Sequence, residues 1–269
     1  MKITFTKMHG AGNDFLVVDD RDLTFPIQKA EWMAQICARR TGVGSDGILL
    51  VQPSERADFR MRFINPDGGE VDMCGNGARC IARFAHEIGA APASMSIETR
   101  AGTVRAEMVK DRVRLRMTDP KDWKTGGSLT IGSATLAYDF VNTGVPHVVV
   151  PVDNLNTVQV EELGRAIRTH SEFAPAGTNA NFVQVTGPNS LRVRTYERGV
   201  EAETLACGTG LVASALVMAR QGRIRLPATL ETRGGDKVEV QADLSKGDGT
   251  EVTLTGPAVT VYQGILTYP

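Results

Sequence analysis

The sequence predicts an α/β (α+β) fold made of two pseudo-symmetric halves, and three observations carry that prediction. The chain has 269 residues, enough for two ordinary domains and near the length at which a single hydrophobic core stops growing. Cys74 and Cys207 each open a Cys-Gly-X-Gly tetrapeptide, CGNG and CGTG, 133 residues apart. Glu-Thr-Arg then recurs 24 residues past each cysteine, at 98–100 and 231–233. Matching offsets of separate motifs indicate a duplication. The expected halves are 1–118 and 119–257, with a C-terminal strand at about 258–269 completing the first.

The elements follow in chain order. Ile27 to Arg40, opening after Pro26, reads as a helix with Cys37 on an apolar stripe beside Ala30, Met33 and Ala34. DFRMRFIN (58–65) alternates with a period of two and reads as a half-buried strand. From Gly75 to about Ile88, apolar Ala78, Ile81, Ala82, Ala85 and Ile88 recur at helical spacing, and Gly89 supplies the stop. The polar, glycine-containing DPKDWKTGGS (119–128) reads as the approach to the second half. A helix is expected from about Val158 to Thr169, capped by Thr157. SLRVRTYE (190–197) repeats the alternating strand. After Cys207, Leu211, Ala215, Val217, Met218 and Ala219 precede the first charge at Arg220, which predicts a helix buried on most sides and stopped at Gly222. The rest is short strands with Gly, Asp and Pro turns. Each half thus runs strand, loop, Cys-Gly, helix, strands, with its helix apolar enough to be wrapped by the strands.

Composition narrows the function. With 42% hydrophobic and 23% charged residues the chain can bury a sizeable core. Thirty basic against thirty-one acidic residues give a net charge of −1, without the basic excess that a nucleic-acid partner requires. No apolar run reaches the roughly 18 residues of a membrane span, and MKITFTKMHGAGND lacks the pattern of a signal peptide, so the expected address is cytoplasmic, away from any membrane. Cysteines 37, 74, 80 and 207 have no CxxC spacing and make no disulfide framework. They are expected as thiols, with Cys37 and Cys80 in the core.

A cysteine immediately before a glycine-rich helix start has a specific chemical potential. A thiol titrates at about 8.5, and the positive end of a helix favours its thiolate. Glycines at 75, 77, 208 and 210 leave backbone N–H groups uncovered for a carboxylate. Two such sites related by duplication suit inversion at a carbon centre, where one group removes a proton from one face and the other returns one to the opposite face. Most of the barrier is then lowered by fixed N–H donors on the carboxylate as it gains charge, at about 2.7 to 4 kcal/mol per donor. No lysine motif for pyridoxal and no metal cluster offers another route, so the expected cofactor is none and the expected metal is none.

MHGAGNDF (8–15), GVGSDG (42–47), FINPDG (63–68), MCGNGARC (73–80), NTGVPH (142–147), GTNANFV (177–183), YERG (196–199) and ACGTG (206–210) together resemble the diaminopimelate epimerases, cofactor-independent enzymes with two cysteines. The match runs in order over nearly the whole chain. The resemblance implies two similar α/β domains, each a strand barrel around a central helix, with the active site at their interface. It implies interconversion of LL- and meso-diaminopimelate, a small diamino dicarboxylic acid of lysine and peptidoglycan synthesis, by a homodimer. By the same resemblance Cys207 is the base for the LL substrate and Cys74 the proton donor, with the roles reversed for the return. Gly75 and Asn76, with Gly208 and Thr209, hold the α-carboxylate. Asn13, Asn65 and Asn179 recognise the distal end; Arg198 pairs with the distal carboxylate and Glu197 with the α-ammonium. His147 and Glu197 tune the thiols. Two departures stand out: Val145 replaces an asparagine of many relatives, and Gly47 replaces a glutamine of others. Whether Asn142 makes up the distal contact is left open by the sequence.

Rival readings are weaker. GVGSDG matches GxGxxG, yet it follows a predicted helix and precedes the apolar ILLVQ, the reverse of a dinucleotide site. His9 and His147 have no zinc-site spacing with the cysteines; His86 and His170 read as surface residues. The nearest functional alternative is a proline or hydroxyproline racemase-type two-thiol enzyme, whose members typically carry His where Asn76 stands. A thiol redox protein would need a bridgeable cysteine pair, with Cα atoms within about 7 Å. A non-catalytic binding module would tolerate loss of either thiol. Glu98 and Glu231 read as strand and turn residues, with no chemical reason for the recurring Glu-Thr-Arg.

Overall fold

A computed structural model describes residues 1–245 and 247–268. The chain divides into two compact units, Met1–Leu115 with Thr255–Pro269, and Arg116–Leu254. The first contains β1 (Lys2–Gly10), β2 (Asn13–Asp19), α1 (Ala30–Cys37), β3 (Gly47–Gln52), β4 (Phe59–Ile64), β5 (Glu70–Val71), α2 (Gly75–Glu87), β6 (Ser94–Thr99), β7 (Gly102–Val109) and β8 (Arg112–Arg116), and β18 (Val259–Thr267) joins it from the far end of the chain. Its strands pair in the order β18-β1-β2-β3-β4-β6-β7-β8, with β2/β3 and β4/β6 parallel and the rest antiparallel; β5 adds to β4.

The second unit repeats this plan with β9 (Lys121–Ile131), β10 (Ala134–Asn142), β11 (Pro146–Pro151), α3 (Val160–Arg168), β12 (Asn179–Gly187), β13 (Ser190–Glu197), β14 (Ala202–Thr204), α4 (Gly208–Arg220), β15 (Ala228–Glu231) and β16 (Lys237–Asp243). Here β11/β12 and β13/β15 are the parallel pairs, and β14 adds to β13 as β5 adds to β4. β17 (Thr250–Pro257) follows in the chain and leads to β18.

Both Cys-Gly helices lie where the sequence puts them. α2 packs on β1, β2, β3, β4 and β7, and α4 on β10, β11, β12, β13, β15 and β16. Every residue from Gly210 to Met218 is buried, so α4 has no polar face because no face meets water; each buried Leu or Val there contributes about 1.5–3 kcal/mol. Gly89 and Gly222 end the two helices in the same left-handed conformation, φ +69 in each.

Three expectations need correction. The first helix is shorter than Ile27–Arg40: Ile27 and Lys29 donate back to Phe25 and Pro26 in tight turns, so helix begins only at Ala30, and Ala38 is already extended. Its buried face is Trp32, Met33, Ile36 and Cys37; Ala30 and Ala34 are exposed. Thr157 does not cap α3. It ends a separate 3-10 turn, Leu155–Thr157, whose cap is the Asn154 side chain accepting from Asn156 N–H. The segment 119–128, expected as the approach to the second half, is mostly strand, because β9 pairs antiparallel along β10 from Ile131 to Lys121. Its polar residues and paired glycines show no strand pattern because β9 is exposed along much of its length.

Candidate active site

Each unit delivers a cysteine to a helix N-terminus. Cys74 and Cys207 are the N-caps of α2 and α4, both with extended backbone (φ −139 and −111), and their carbonyls accept the first helical bonds, from Ala78 and Leu211. The first-turn N–H groups of Gly75 and Asn76 and of Gly208 and Thr209 have no intrahelical acceptor, as the orphan donors of a helix start, and suit an anion, while the Gly210 N–H faces the Cys207 sulfur.

In the first unit the Cys74 thiol donates to Asn13 Oδ1 at 3.5 Å, and Asn76 Nδ2 reaches the same oxygen at 3.4 Å. Asn13 is fixed from behind: its Nδ2 donates to Asp46 Oδ2 at 2.6 Å, and Arg39 holds Asp46 at 2.6 Å. Arg39 and Lys7 also hold Asp14, whose carboxyl is brought down to about 2 by their hydrogen bonds and charge against the opposing effect of burial. Buried Arg79 donates to Asn76 Oδ1 at 2.9 Å and to the Pro257 carbonyl at 3.1 Å. Asn65 sits in the turn after β4, its N–H on Gly69 O and its carbonyl accepting from Gly68. Gly47 has a local cause: a Cβ there would lie 2.4 Å from the Phe63 ring and 2.7 Å from the Ile64 carbonyl. Phe63 stacks edge-on against Phe15 and fills the space a glutamine would need.

In the second unit Cys207 is buried, with Thr209 Oγ1 at 3.6 Å from its sulfur and its thiol hydrogen-bonded to Glu197. The helix end does not make it a resting thiolate. Burial and the Glu197 charge push the Cys207 thiol well above its ordinary value, outweighing the Thr209 hydroxyl and the Gly210 N–H that favour the anion. Burial likewise raises the Glu197 carboxyl, against the bonds it accepts from Thr204 and Cys207. Burial thus favours the protonated form of both groups, and the Glu197 charge weighs further against a Cys207 thiolate. Removing that charge lets the thiol ionise more easily, so Glu197→Gln is expected to move the alkylation profile of Cys207 by about one unit toward lower pH. Iodoacetamide labelling across pH measures it, and an unmoved profile would refute the assignment.

His147 lies in β11, fully buried. Asn181 Nδ2 sits 3.1 Å from its Nδ1 and donates also to Val148 O at 2.8 Å, while Asn181 Oδ1 accepts from Thr195 Oγ1 at 3.0 Å. This network assigns Nδ1 as acceptor and the proton to Nε2, which has no partner among the described residues. Burial, with the nearby Arg198 charge, takes the imidazole down to about 3, so it is neutral at working pH. Its folded value lies below the unfolded 6.5, so the unfolded chain binds a proton that the native one refuses. Stability is therefore present above pH 6.5 and is lost toward pH 3, at up to about 1.4 kcal/mol per unit. Urea titrations at pH 7 and 4.5 are expected to show a smaller acid loss in His147→Asn than in wild type, and equal losses would remove His147 as the cause.

Asn179 donates to the Pro146 carbonyl at 3.0 Å and accepts from Arg198 N–H at 2.8 Å, and the Arg198 guanidinium donates to Ala176 O at 3.0 Å. Thr143 Oγ1 fixes the Thr209 carbonyl at 3.0 Å. Asn142 is engaged within its own loop, with Asp122 at 3.2 Å and Gly144 N–H at 3.0 Å. Sequence reasoning missed Asp46, Arg79 and Asn181. Of these, Asn181 carried a signal, because it stands two residues from Asn179 on one strand face.

A family model described as diaminopimelate epimerase matches residues 5–123 and 140–261. The diaminopimelate epimerase of Aquifex aeolicus (strain VF5) is 43% identical over 276 residues, covering 97% of each chain. That of Chlorobaculum tepidum is 42% identical over 264 residues, covering 97% of this chain and 100% of its own. Among solved structures, a Bacillus anthracis phenazine biosynthesis protein of the PhzF family superposes with a TM-score of 0.75 at 21% identity over 100% of both chains. A hydroxyproline epimerase from Agrobacterium vitis gives 0.68 at 17% identity, covering 98% of this chain and 92% of its own. At such identities these two likenesses show the fold.

Proposed function

The chain belongs to the diaminopimelate epimerase family, and from that premise we propose that it interconverts LL- and meso-diaminopimelate with Cys74 and Cys207 as the two acid–base groups. The observation that carries this reading is the repeated placement of a cysteine at the N-terminus of a strand-wrapped helix, each beside side chains that the family resemblance assigns to substrate. The α-carboxylate sits against the N–H groups of Gly75 and Asn76 and of Gly208 and Thr209. As the α-proton leaves, charge moves onto that carboxylate, where fixed donors stabilise it. Cys207 gives its proton to Glu197 and takes the LL α-proton from one face; the Cys74 thiol, oriented by Asn13, returns a proton from the other. Glu197 also faces the α-ammonium, and Arg198 with Asn13, Asn65 and Asn179 recognises the distal end. His147 supports the thiol chemistry as a neutral N–H donor at Nε2, not as a cation. No cofactor and no metal takes part in this scheme.

The rival proline-racemase reading has support from fold alone, at 17–18% identity, and Asn76 departs from its pattern. Incubation with LL-diaminopimelate in heavy water tests the assignment. Inversion with deuterium at the α-carbon is expected; turnover of proline and none of diaminopimelate would overturn it.

We also propose a cytoplasmic homodimer. No helix among the described residues is long and apolar enough to cross a membrane. Val261, Tyr262 and Ile265 of β18 are 54%, 44% and 63% exposed, an apolar surface suited to a second copy. Light scattering is expected to give twice the 29.0 kDa chain mass, and a monomer at micromolar concentration would contradict it.

A further inference from the structure

The recurring Glu-Thr-Arg takes no part in the chemistry above, yet both copies place an arginine beside the acidic residues of the short strand and turn that lead to the cysteine. β5 is two residues long and ends just before Cys74. Glu70 in it receives Nε and Nη2 of Arg62, from β4, at 2.9 and 2.7 Å, and Arg100 of the first Glu-Thr-Arg lies 3.7 Å from the same carboxylate and pairs with Asp72, two residues before the cysteine, at 3.1 Å. Ala101 N–H then donates to the Asp72 carbonyl at 3.3 Å. In the second unit Glu203 of β14 receives Nε and Nη2 of Arg194, from β13, at 2.6 and 2.7 Å, and Arg233 of the second Glu-Thr-Arg lies 3.2 Å away. Gly234 N–H donates to Leu205 O, again two residues before the cysteine, at 3.1 Å. Each member stands 132 or 133 residues from its counterpart.

Arg100 and Arg233 are about half exposed, and pairs of that kind stabilise a fold little. Their shared feature is the place they grip. A carboxylate held bidentately by one arginine, with the charge of a second beside it, is restrained in orientation, and the backbone bond next to it ties the chain two residues before the thiol.

We propose that Arg100 and Arg233 are positioning residues, each completing an Arg–Glu–Arg clamp that sets the orientation in which its cysteine enters the helix. The effect on turnover rests on the thiol pair proposed above; the effect on thiol reactivity does not.

Alkylation rates of Cys74 and Cys207 by iodoacetamide across pH, resolved by mass spectrometry, are measured beside kcat and KM in Arg100→Ala, Arg233→Ala, Arg233→Lys and Glu203→Gln. Arg233→Ala is expected to change Cys207 alkylation about tenfold and Cys74 less than about twofold, and Arg100→Ala the reverse, with kcat down on the order of tenfold and KM nearly unchanged. Glu203→Gln, which keeps the side-chain shape, repeats the Cys207 effect, and Arg233→Lys, which keeps the charge, largely restores it. Unchanged alkylation of the adjacent thiol, or equal changes at both thiols, would overturn the clamp. Selective alkylation changes beside an unaltered kcat would support the clamp and count against the thiol pair.

Discussion

Cys74→Ala and Cys207→Ala are each expected to lower epimerisation by about 10²–10⁴-fold, the contribution of one positioned acid–base group, and to fail in opposite ways. The Cys207→Ala protein keeps Cys74, which can take the α-proton of the meso substrate, exchange it with solvent and return a solvent hydron to the same face without inverting the centre. In heavy water it should place deuterium into meso-diaminopimelate with retention and leave the LL form unlabelled. Cys74→Ala should do the converse. The proposed carboxylate donors are backbone groups of Gly75, Asn76, Gly208 and Thr209 and remain in both variants, so carbanion stabilisation is expected to survive the loss of a thiol. NMR of the recovered substrates reads stereochemistry and deuterium together. Full epimerisation by either variant, or equal exchange of both substrates, would sink the two-base scheme.

How much of this was legible beforehand depended on sequence distance. The Cys-Gly helices were readable because start, apolar stripe and stop lie within fifteen residues, and Gly89 and Gly222 fall where the periodicity ends. DFRMRFIN and SLRVRTYE were readable because a half-buried strand alternates, and they became β4 and β13. β9 was not readable, since a mostly exposed strand leaves no apolar alternation and its glycines imitate a loop. The groups that aim the site residues were hidden for a different reason. Asp46 reaches Asn13 across 33 residues, Thr195 reaches Asn181 across 14, and Arg79 meets the Pro257 carbonyl 178 residues on. Such partners are chosen by sheet register, which pairs Phe15 with Gly47 and Asn181 with Thr195, and register is not written in any local window. The direction of the Cys207 shift was hidden likewise, because the helix end is local whereas burial and Glu197 come from the surrounding strands.

Three glycines at the two helix starts separate substrate binding from folding, and their alanine variants carry the other large effect. None of Gly75, Gly208 and Gly210 has a left-handed backbone, so alanine is conformationally acceptable at each and only the space decides. At Gly75 an added Cβ meets nothing within 4 Å, and at Gly208 it meets only Leu254 Cδ1, at 4.0 Å. Both variants should fold with unchanged or slightly raised stability, since alanine favours helix over glycine by up to about 1 kcal/mol. The new methyl nevertheless stands at the N–H groups proposed to hold the α-carboxylate, so KM should rise on the order of a hundredfold, the scale of one lost charged hydrogen bond. At Gly210 the Cβ would lie 2.3 Å from Asn181 Oδ1 and 3.3 Å from the Cys207 sulfur. Asn181 cannot retreat without giving up Thr195, Val148 and His147, so Gly210→Ala should lose about 2 to 4 kcal/mol of stability from overpacking and a broken buried bond. Urea unfolding and KM on the same three proteins distinguish the cases. If Gly75→Ala and Gly208→Ala both kept a wild-type KM, the carboxylate would sit elsewhere; if Gly210→Ala kept its stability, the Asn181 network would be softer than its three partners imply.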